Sequence, residues 1–305
     1  MDSTHIAITG CEKVLELLDV TNEGLGMTRV HKLRVACRRL VQSLKTLPGF
    51  AEDKELQGVR KSANKVRRSM GGLRDADVLI ALLQEWSNTN QPTGCAFVAS
   101  SHLVTSLSSR RREETLTVRV ALRSTKMVTH AERIDSLRRS LVSEADQSPM
   151  AGTTSGTDHA LDEALVAARV KVESVIDQSV LDTSPAGLEK THKLRIAVKS
   201  LRYAVENRAE RLEVDQRKDF VRPFKDLQEE LGRVQDASVL LDYIEENLAQ
   251  LGGVPLEDGL DHLDLKEGLR SISDSLYRDI GSRLAPIRQR LGEAFTRLVA
   301  FHARN

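Results

Sequence analysis

Residues His31-Lys32-Leu33-Arg34-Val35-Ala36 return 161 positions later as His192-Lys193-Leu194-Arg195-Ile196-Ala197. Between 31–41 and 192–202, six of eleven positions are identical, which chance rarely gives around histidine, a residue present only eight times. The spacing reads as an internal duplication. Each copy also reads as helix. At 100° per residue, Leu33, Ala36, Cys37, Leu40, Leu44 and Leu47 gather on one side, while His31, Arg34, Arg38 and Lys45 gather nearly opposite. The helix is predicted over 28–47, with Thr28 as N-cap and Pro48-Gly49 as its stop. An apolar stripe backed by a cationic one decides the fold class: helices packed on helices.

The same reading extends outward. A helix is predicted over 6–20, closed by Gly24 and Gly26. Another, over 52–70, carries the stripe Leu56, Val59, Ala63, Val66 and Met70, flanked by Arg60 and Arg67. Gly71-Gly72 ends it, and Leu73-Arg74-Asp75-Ala76-Asp77-Val78 opens a helix to about 86. After a loop at 88–94 come long helices to about 126 and over 129–145. The stretch 147–158, QSPMAGTTSGTD, is a linker by composition. Helices over 160–180, 187–208, 216–231 and 234–248 repeat the order, with a loop at 249–255 in register with the earlier one. Gly71, Asp75, Ala76, Val78 and Leu79 recur as Gly232, Asp236, Ala237, Val239 and Leu240, and Gly26 as Gly187, all at the same offset. The tail from 260 reads as two helices broken at Gly281 or Pro286. The expectation is an all-α, internally duplicated protein. Its two four-helix-bundle-like halves, 1–146 and 159–305, would be related by a pseudo-two-fold axis.

Composition agrees with helices: 40 % hydrophobic and 29 % charged residues, but only 3 % aromatic, too few for a sheet protein of this size. Cys11, Cys37 and Cys95 form no CxxC pair, so neither a disulfide framework nor a zinc site is expected. No run approaches the ~18 apolar residues of a membrane span, and the first residues lack a secretory pattern. A cytoplasmic location is expected. The net charge of +1 conceals strong local bias. Residues 29–74 hold 13 Lys and Arg against 3 acids, and residues 190–235 hold 12 against 8. Two basic regions thus lie in an otherwise acidic chain, and local fields are what attract ligands.

Lysine and arginine opposite an apolar stripe usually form a plain solvated face. Such a face accepts Glu and Gln as readily as Arg, however, and the helices at 28–47 and 52–70 carry almost no acids. Mutual repulsion there is unfavourable unless an anion relieves it. Arginine offers forked donors that fit phosphate oxygens, lysine a point charge, and protonated histidine two further donors. Side chains three or four apart stand ~5–6 Å from each other on one face, a spacing suited to an extended polyphosphoryl ligand with no bases to read. Nucleic acid is disfavoured by the scarcity of aromatic stacking partners.

The pairing of VHKLR-A-RRL with MGGLRDADVL in the first half, and of THKLRIAVKSLRY with LGRVQDASVL in the second, resembles the conserved-histidine α-helical domain (CHAD) family. The resemblance implies two duplicated helical bundles, a basic surface that binds inorganic polyphosphate, and association with polyphosphate granules and their enzymes. Carried over, the family histidine falls on His31 and His192, the following arginines on Arg34 and Arg195, and the next basic position on Arg38 and Lys199. Arg202 and Lys225 also match in the second half, where the first half has Val41 and Asn64. With Lys45, Arg60, Arg67 and Arg74 these complete the expected binding set, and bound phosphate or sulfate ions would mark it in a crystal. No catalytic residue, metal or cofactor is expected. The alternative is a metal-dependent phosphohydrolase or phosphotransferase acting on polyphosphate or nucleotides, using Asp75 and Asp77. Those two acids are read instead as stabilising the first turn of a helix, and the lone Glu189-x-x-His192 spacing lacks the second pair a di-iron bundle needs.

Overall fold

The apolar stripes are long enough to bury one side of each helix, and the chain satisfies them by packing helix on helix. The computed structural model describes residues 3–19, 24–45, 47, 49–147, 156–177, 181–209, 214–251 and 262–302. Among them are α1 (Ser3–Leu18), α2 (Met27–Leu44), α3 (Lys54–Ser69), α4 (Gly71–Asn90), α5 (Gly94–Leu122) and α6 (Thr125–Gln147). Then follow α7 (Gly156–Asp177), α8 (Pro185–Ala209), α9 (Val214–Gln250), α10 (His262–Leu284) and α11 (Ile287–His302). The all-α expectation holds.

The chain forms two compact units. Unit 1 comprises 1–84 and 104–151; unit 2 comprises 85–103 and 152–305. The divisions fall inside α4 and α5, so the final turns of α4 and the first turns of α5 count with unit 2.

Unit 1 is built on a ring of four helices: α1 packs on α2, α2 on α3, α3 on α6, and α6 back on α1. Their apolar stripes meet in one core, in which Val30, Leu33, Leu40, Val59, Val66 and Met70 are at most 1 % exposed. Each large aliphatic so buried contributes about 1.5–3 kcal/mol against its exposed state. The predicted stripes of α2 and α3 are the buried ones, and Cys37 lies among them. In unit 2, α8 packs between α7 and α9, and α11 also packs on α9. Leu194, Val198, Leu201, Phe224, Leu231 and Leu291 fill that core. The α9 C-terminal half packs on α10. There α5 approaches α10 so closely that a Cβ on Gly268 would lie 2.0 Å from the Cys95 carbonyl oxygen, and Trp86 Nε1 donates to Ser275 Oγ at 3.0 Å.

Several boundaries differ from the sequence reading. Thr28 is not the cap of α2: the helix starts at Met27 behind Gly26, whose backbone is extended and makes no side-chain cap. Helix α2 stops at Leu44, although Leu47 stays buried in the core. Asp53 caps α3 by accepting from the Glu55 and Leu56 amides at 2.7 and 3.1 Å, which moves its start to Lys54. Helix α4 extends to Asn90, so the loop is only 91–93, turned by left-handed Gln91 and Gly94. Of the linker, 148–155 lies outside the described residues, while 156–158 already belongs to α7. The most consequential difference is in α9, a single helix where two were predicted. Gly232 is absorbed in α9, and Gly71 and Gly72 are likewise helical, as the first residues of α4. The α3–α4 break is the single residue Met70, with φ −102° and ψ 16°. Residues 252–255 of the predicted second loop lie outside the described residues, and 249–250 close α9. The tail breaks at Pro286, not at Gly281, which is helical.

Candidate functional site

Helix α2 turns its apolar stripe inward and thereby presents the opposite face, with His31 and Lys45 exposed and Arg34 and Arg38 half-buried. The α3–α4 break brings Arg67 and Arg74 to the same place. The clearest link is geometric: Arg34 Nη1 donates to the Arg67 carbonyl oxygen at 3.0 Å. That carbonyl lies in the last turn of α3, where backbone acceptors lose their intrahelical donors. Arg34 therefore caps a neighbouring helix with one of its five N–H donors and leaves the others unspent.

Electrostatics show the rest of the grouping. The His31 pKa is lowered, first by desolvation and then by the fields of Arg74, Arg38 and Arg34. Burial leads in lowering the Arg34 pKa; Asp75 opposes it, and Arg67, Arg38 and Arg74 add to it. Five predicted residues, His31, Arg34, Arg38, Arg67 and Arg74, thus feel one another's charge. Among the described residues, none of the five forms an ion pair with a carboxylate. Arg38 Nε is buried without a hydrogen-bond partner. Beneath them Cys37 is pushed up to about 12 by burial, against the pull of Arg67 and Arg34. Arg60 lies two helical turns before Arg67; its Nε is likewise buried and unpartnered, but no coupling links it to the five. Lys45 stands exposed at the end of α2, apart from them.

Unit 2 presents its residues differently. Ser184 caps α8, its Oγ accepting from the Gly187 amide at 3.1 Å, and Pro185 begins the helix. His192 is exposed, and its Nδ1 contacts Gln235 Oε1. Arg195 is half-buried and forms no hydrogen bond or ion pair among the described residues. Lys199 is half-buried one turn farther along. Arg202 is engaged three ways: Nε donates to Gln228 Oε1 at 2.6 Å, Nη1 meets Glu206, and the guanidinium lies 4.4 Å from the Tyr203 ring centroid. Lys225 is exposed, 3.7 Å from Glu229.

Gln228 and Gln235 escaped the sequence reading. A signal was present, because they sit 161 positions after Arg67 and Arg74. Asp77 was also misread: its side chain is fully buried and accepts from Arg111 Nε at 2.6 Å, while Arg111 Nη2 reaches the Leu25 carbonyl at 3.2 Å. It ties α4 to α5 within unit 1 rather than serving a helix terminus. Glu189 is held by Lys193 at 2.8 Å. Among the described residues no three His, Cys, Asp or Glu side chains converge as metal ligands do. Nor does any described helix have the length and apolarity to cross a membrane. A groove of unit 2, about 1010 Å³ between α9 and α11, contains none of the predicted residues and is lined by acids such as Asp219, Asp226 and Glu293 as well as by arginines.

The all-helical architecture has been seen before. The chain superimposes on a CHAD domain from the plant Ricinus communis with TM-score 0.62 and 18 % identity, covering 95 % of this chain and 90 % of that one. It superimposes on PptA from Streptomyces chartreusis with TM-score 0.66 and 17 % identity, covering 96 % and 98 % respectively. Residues 18–245 match the CHAD domain family, and the chain belongs to that family. No protein of curated function matches it.

Proposed function

We propose that this protein binds inorganic polyphosphate, or a similar polyphosphoryl anion, without transforming it. The observation that carries the reading is the group His31, Arg34, Arg38, Arg67 and Arg74: five cationic or potentially cationic side chains kept together with no carboxylate in ion-pair contact among the described residues. Such a group raises the energy of the free protein and is relieved by an anion. Phosphoryl oxygens fit forked guanidinium donors, and charge-assisted bonds of this kind are roughly twice as strong as neutral ones. Membership of a family linked to polyphosphate supports the same choice. Arg195 and Lys199, with His192, form a second basic surface within unit 2. The corresponding place of action is the cytoplasm, at polyphosphate granules and beside the enzymes that make or degrade the polymer.

The test is the affinity for long-chain polyphosphate at two salt concentrations, for the wild type and for Arg34→Ala combined with Arg195→Ala. A steep fall with salt and a marked loss in the double variant are expected. Equal affinity in both proteins would remove these arginines from the site. Incubation with polyphosphate and Mg²⁺ or Mn²⁺ addresses catalysis, since sustained phosphate release would replace the binding role with an enzymatic one.

A further inference from the structure

We infer that the two histidine faces are unequal: unit 1 alone forms the tight anion site, a compact one for about three or four phosphoryl groups held by its arginine forks, and most basic side chains of the matching face of unit 2 are already engaged by the protein itself. This rests on the polyphosphoryl reading above and assigns the ligand's minimal size and its principal seat.

The argument comes from what occupies corresponding positions. Arg67, Arg74 and Lys45 of unit 1 correspond, 161 residues on, to Gln228, Gln235 and Glu206. Each replacement removes a cation, and each replacing side chain turns onto a basic residue of its own face. Gln228 and Glu206 take Arg202, and Gln235 takes His192. Arg68 likewise corresponds to Glu229, which stands 3.7 Å from Lys225. The donors of His192, Arg202 and Lys225 are thus engaged internally, which leaves Arg195 as the unengaged guanidinium of that face among the described residues, and a ligand must break those contacts to recruit the others. In unit 1 nothing comparable intervenes. Arg34 donates one N–H to a backbone carbonyl and feels Asp75 only through its field, without an ion-pair contact, and Arg38, Arg67 and Arg74 form no ion pair among the described residues.

The size follows from the helix. His31 to Arg38 spans about 10 Å along α2, and the α3–α4 break sets Arg67 and Arg74 against that stretch. Four forked donors over two helical turns fit a short phosphoryl cluster. In unit 2, Arg195 and Lys199 are not replaced by acids or amides and form a weaker seat of their own.

The experiment compares tripolyphosphate and long-chain polyphosphate by titration calorimetry on the full chain. Three variants are used with the wild type: Arg38→Gln with Arg74→Gln in unit 1, Arg195→Gln with Lys199→Gln in unit 2, and the converse gain, Glu206→Lys with Gln235→Arg. The wild type is expected to bind tripolyphosphate at one site per chain. The unit 1 variant should lose at least thirtyfold in affinity, and the unit 2 variant at least tenfold less than that. The gain variant should create a second tripolyphosphate site. Equal losses in the two loss variants, or two equal sites in the wild type, would overturn the inequality while leaving polyphosphate binding intact. Binding of the long chain without tripolyphosphate would overturn the compact site. A wild type that binds neither anion refutes the polyphosphoryl reading itself, and this assignment with it. Unfolding midpoints, measured alongside, separate loss of ligand contact from loss of fold, and the gain variant decides the matter even if a loss variant unfolds.

Discussion

Replacing Arg74 with glutamine copies into unit 1 the residue found 161 positions later at Gln235. In the free protein the Arg74 charge lowers the His31 pKa and that of Arg34, so the substitution relieves repulsion and the unfolding midpoint should stay level or rise. Ligand binding should move the other way. A hydrogen bond to a charged partner contributes about 1.5–3 kcal/mol; Arg74 is half-buried, so the lower end applies and the affinity loss is about tenfold. Counterion release gives a second, independent number. If four arginines each neutralise one phosphate, a single-stranded polyanion with a slope of about −0.7 per contact loses about fiftyfold in affinity from 50 to 200 mM salt, and about twentyfold with three contacts. Fluorescence anisotropy with labelled polyphosphate across that salt range, paired with urea unfolding of the free protein, reads both. An unchanged salt slope, or a fall in stability parallel to the fall in affinity, would refute the reasoning that this cluster is strained by charge and relieved by phosphate.

Further expectations can be checked directly. The His31 and His130 pKa values both lie below that of free histidine, led in each case by desolvation, so their contribution to the stability of the free protein is present above about pH 6.5 and lost as pH falls through the folded values. A bound polyanion raises the His31 pKa, so affinity should grow on acidification and weaken as pH rises; thermal scans with and without polyphosphate at pH 5.5 and 8, repeated with His31→Gln, measure both signs. Arg111→Ala strands the buried Asp77 carboxylate and should cost about 3–5 kcal/mol in urea unfolding, and adding Asp77→Ser, the residue at the corresponding position 238, should restore much of it. Gly268→Ala places a methyl 2.0 Å from the Cys95 carbonyl oxygen and should destabilise by about 1–3 kcal/mol, lowering the melting temperature.

Much of this architecture was readable because helical periodicity is a local property. The stripes of α2 and α3 needed only the order of apolar residues, and the polar faces followed as their complement. The site was less legible where partners are distant in sequence. Asp77 looks like a first-turn acid until α5 brings Arg111 against it from 34 residues away. Gln228 and Gln235 carry no charge to draw attention, yet they settle how Arg202 and His192 are engaged. The continuity of α9 also escaped prediction, because glycine reads as punctuation, whereas Gly71, Gly72 and Gly232 are all accommodated within helices.

The carbonyl cap formed by Arg34 links that helix break to the evolution of the site. Where α3 stops, its last carbonyls need donors, and Arg34 supplies one to Arg67. In unit 2 the corresponding backbone, at Gln228, runs on through α9 and is not a helix end, and Arg195 makes no such cap among the described residues. A single arginine in unit 1 is therefore bound by two constraints, one architectural and one chemical, and substitutions that tune ligand affinity will also fray a helix end. Its counterpart carries only the chemical one. Lineages that lose anion binding altogether should retain an arginine or lysine at position 34 long after position 195 has changed, so a basic residue surviving at 34 would record the shape of the α3 terminus rather than a living function.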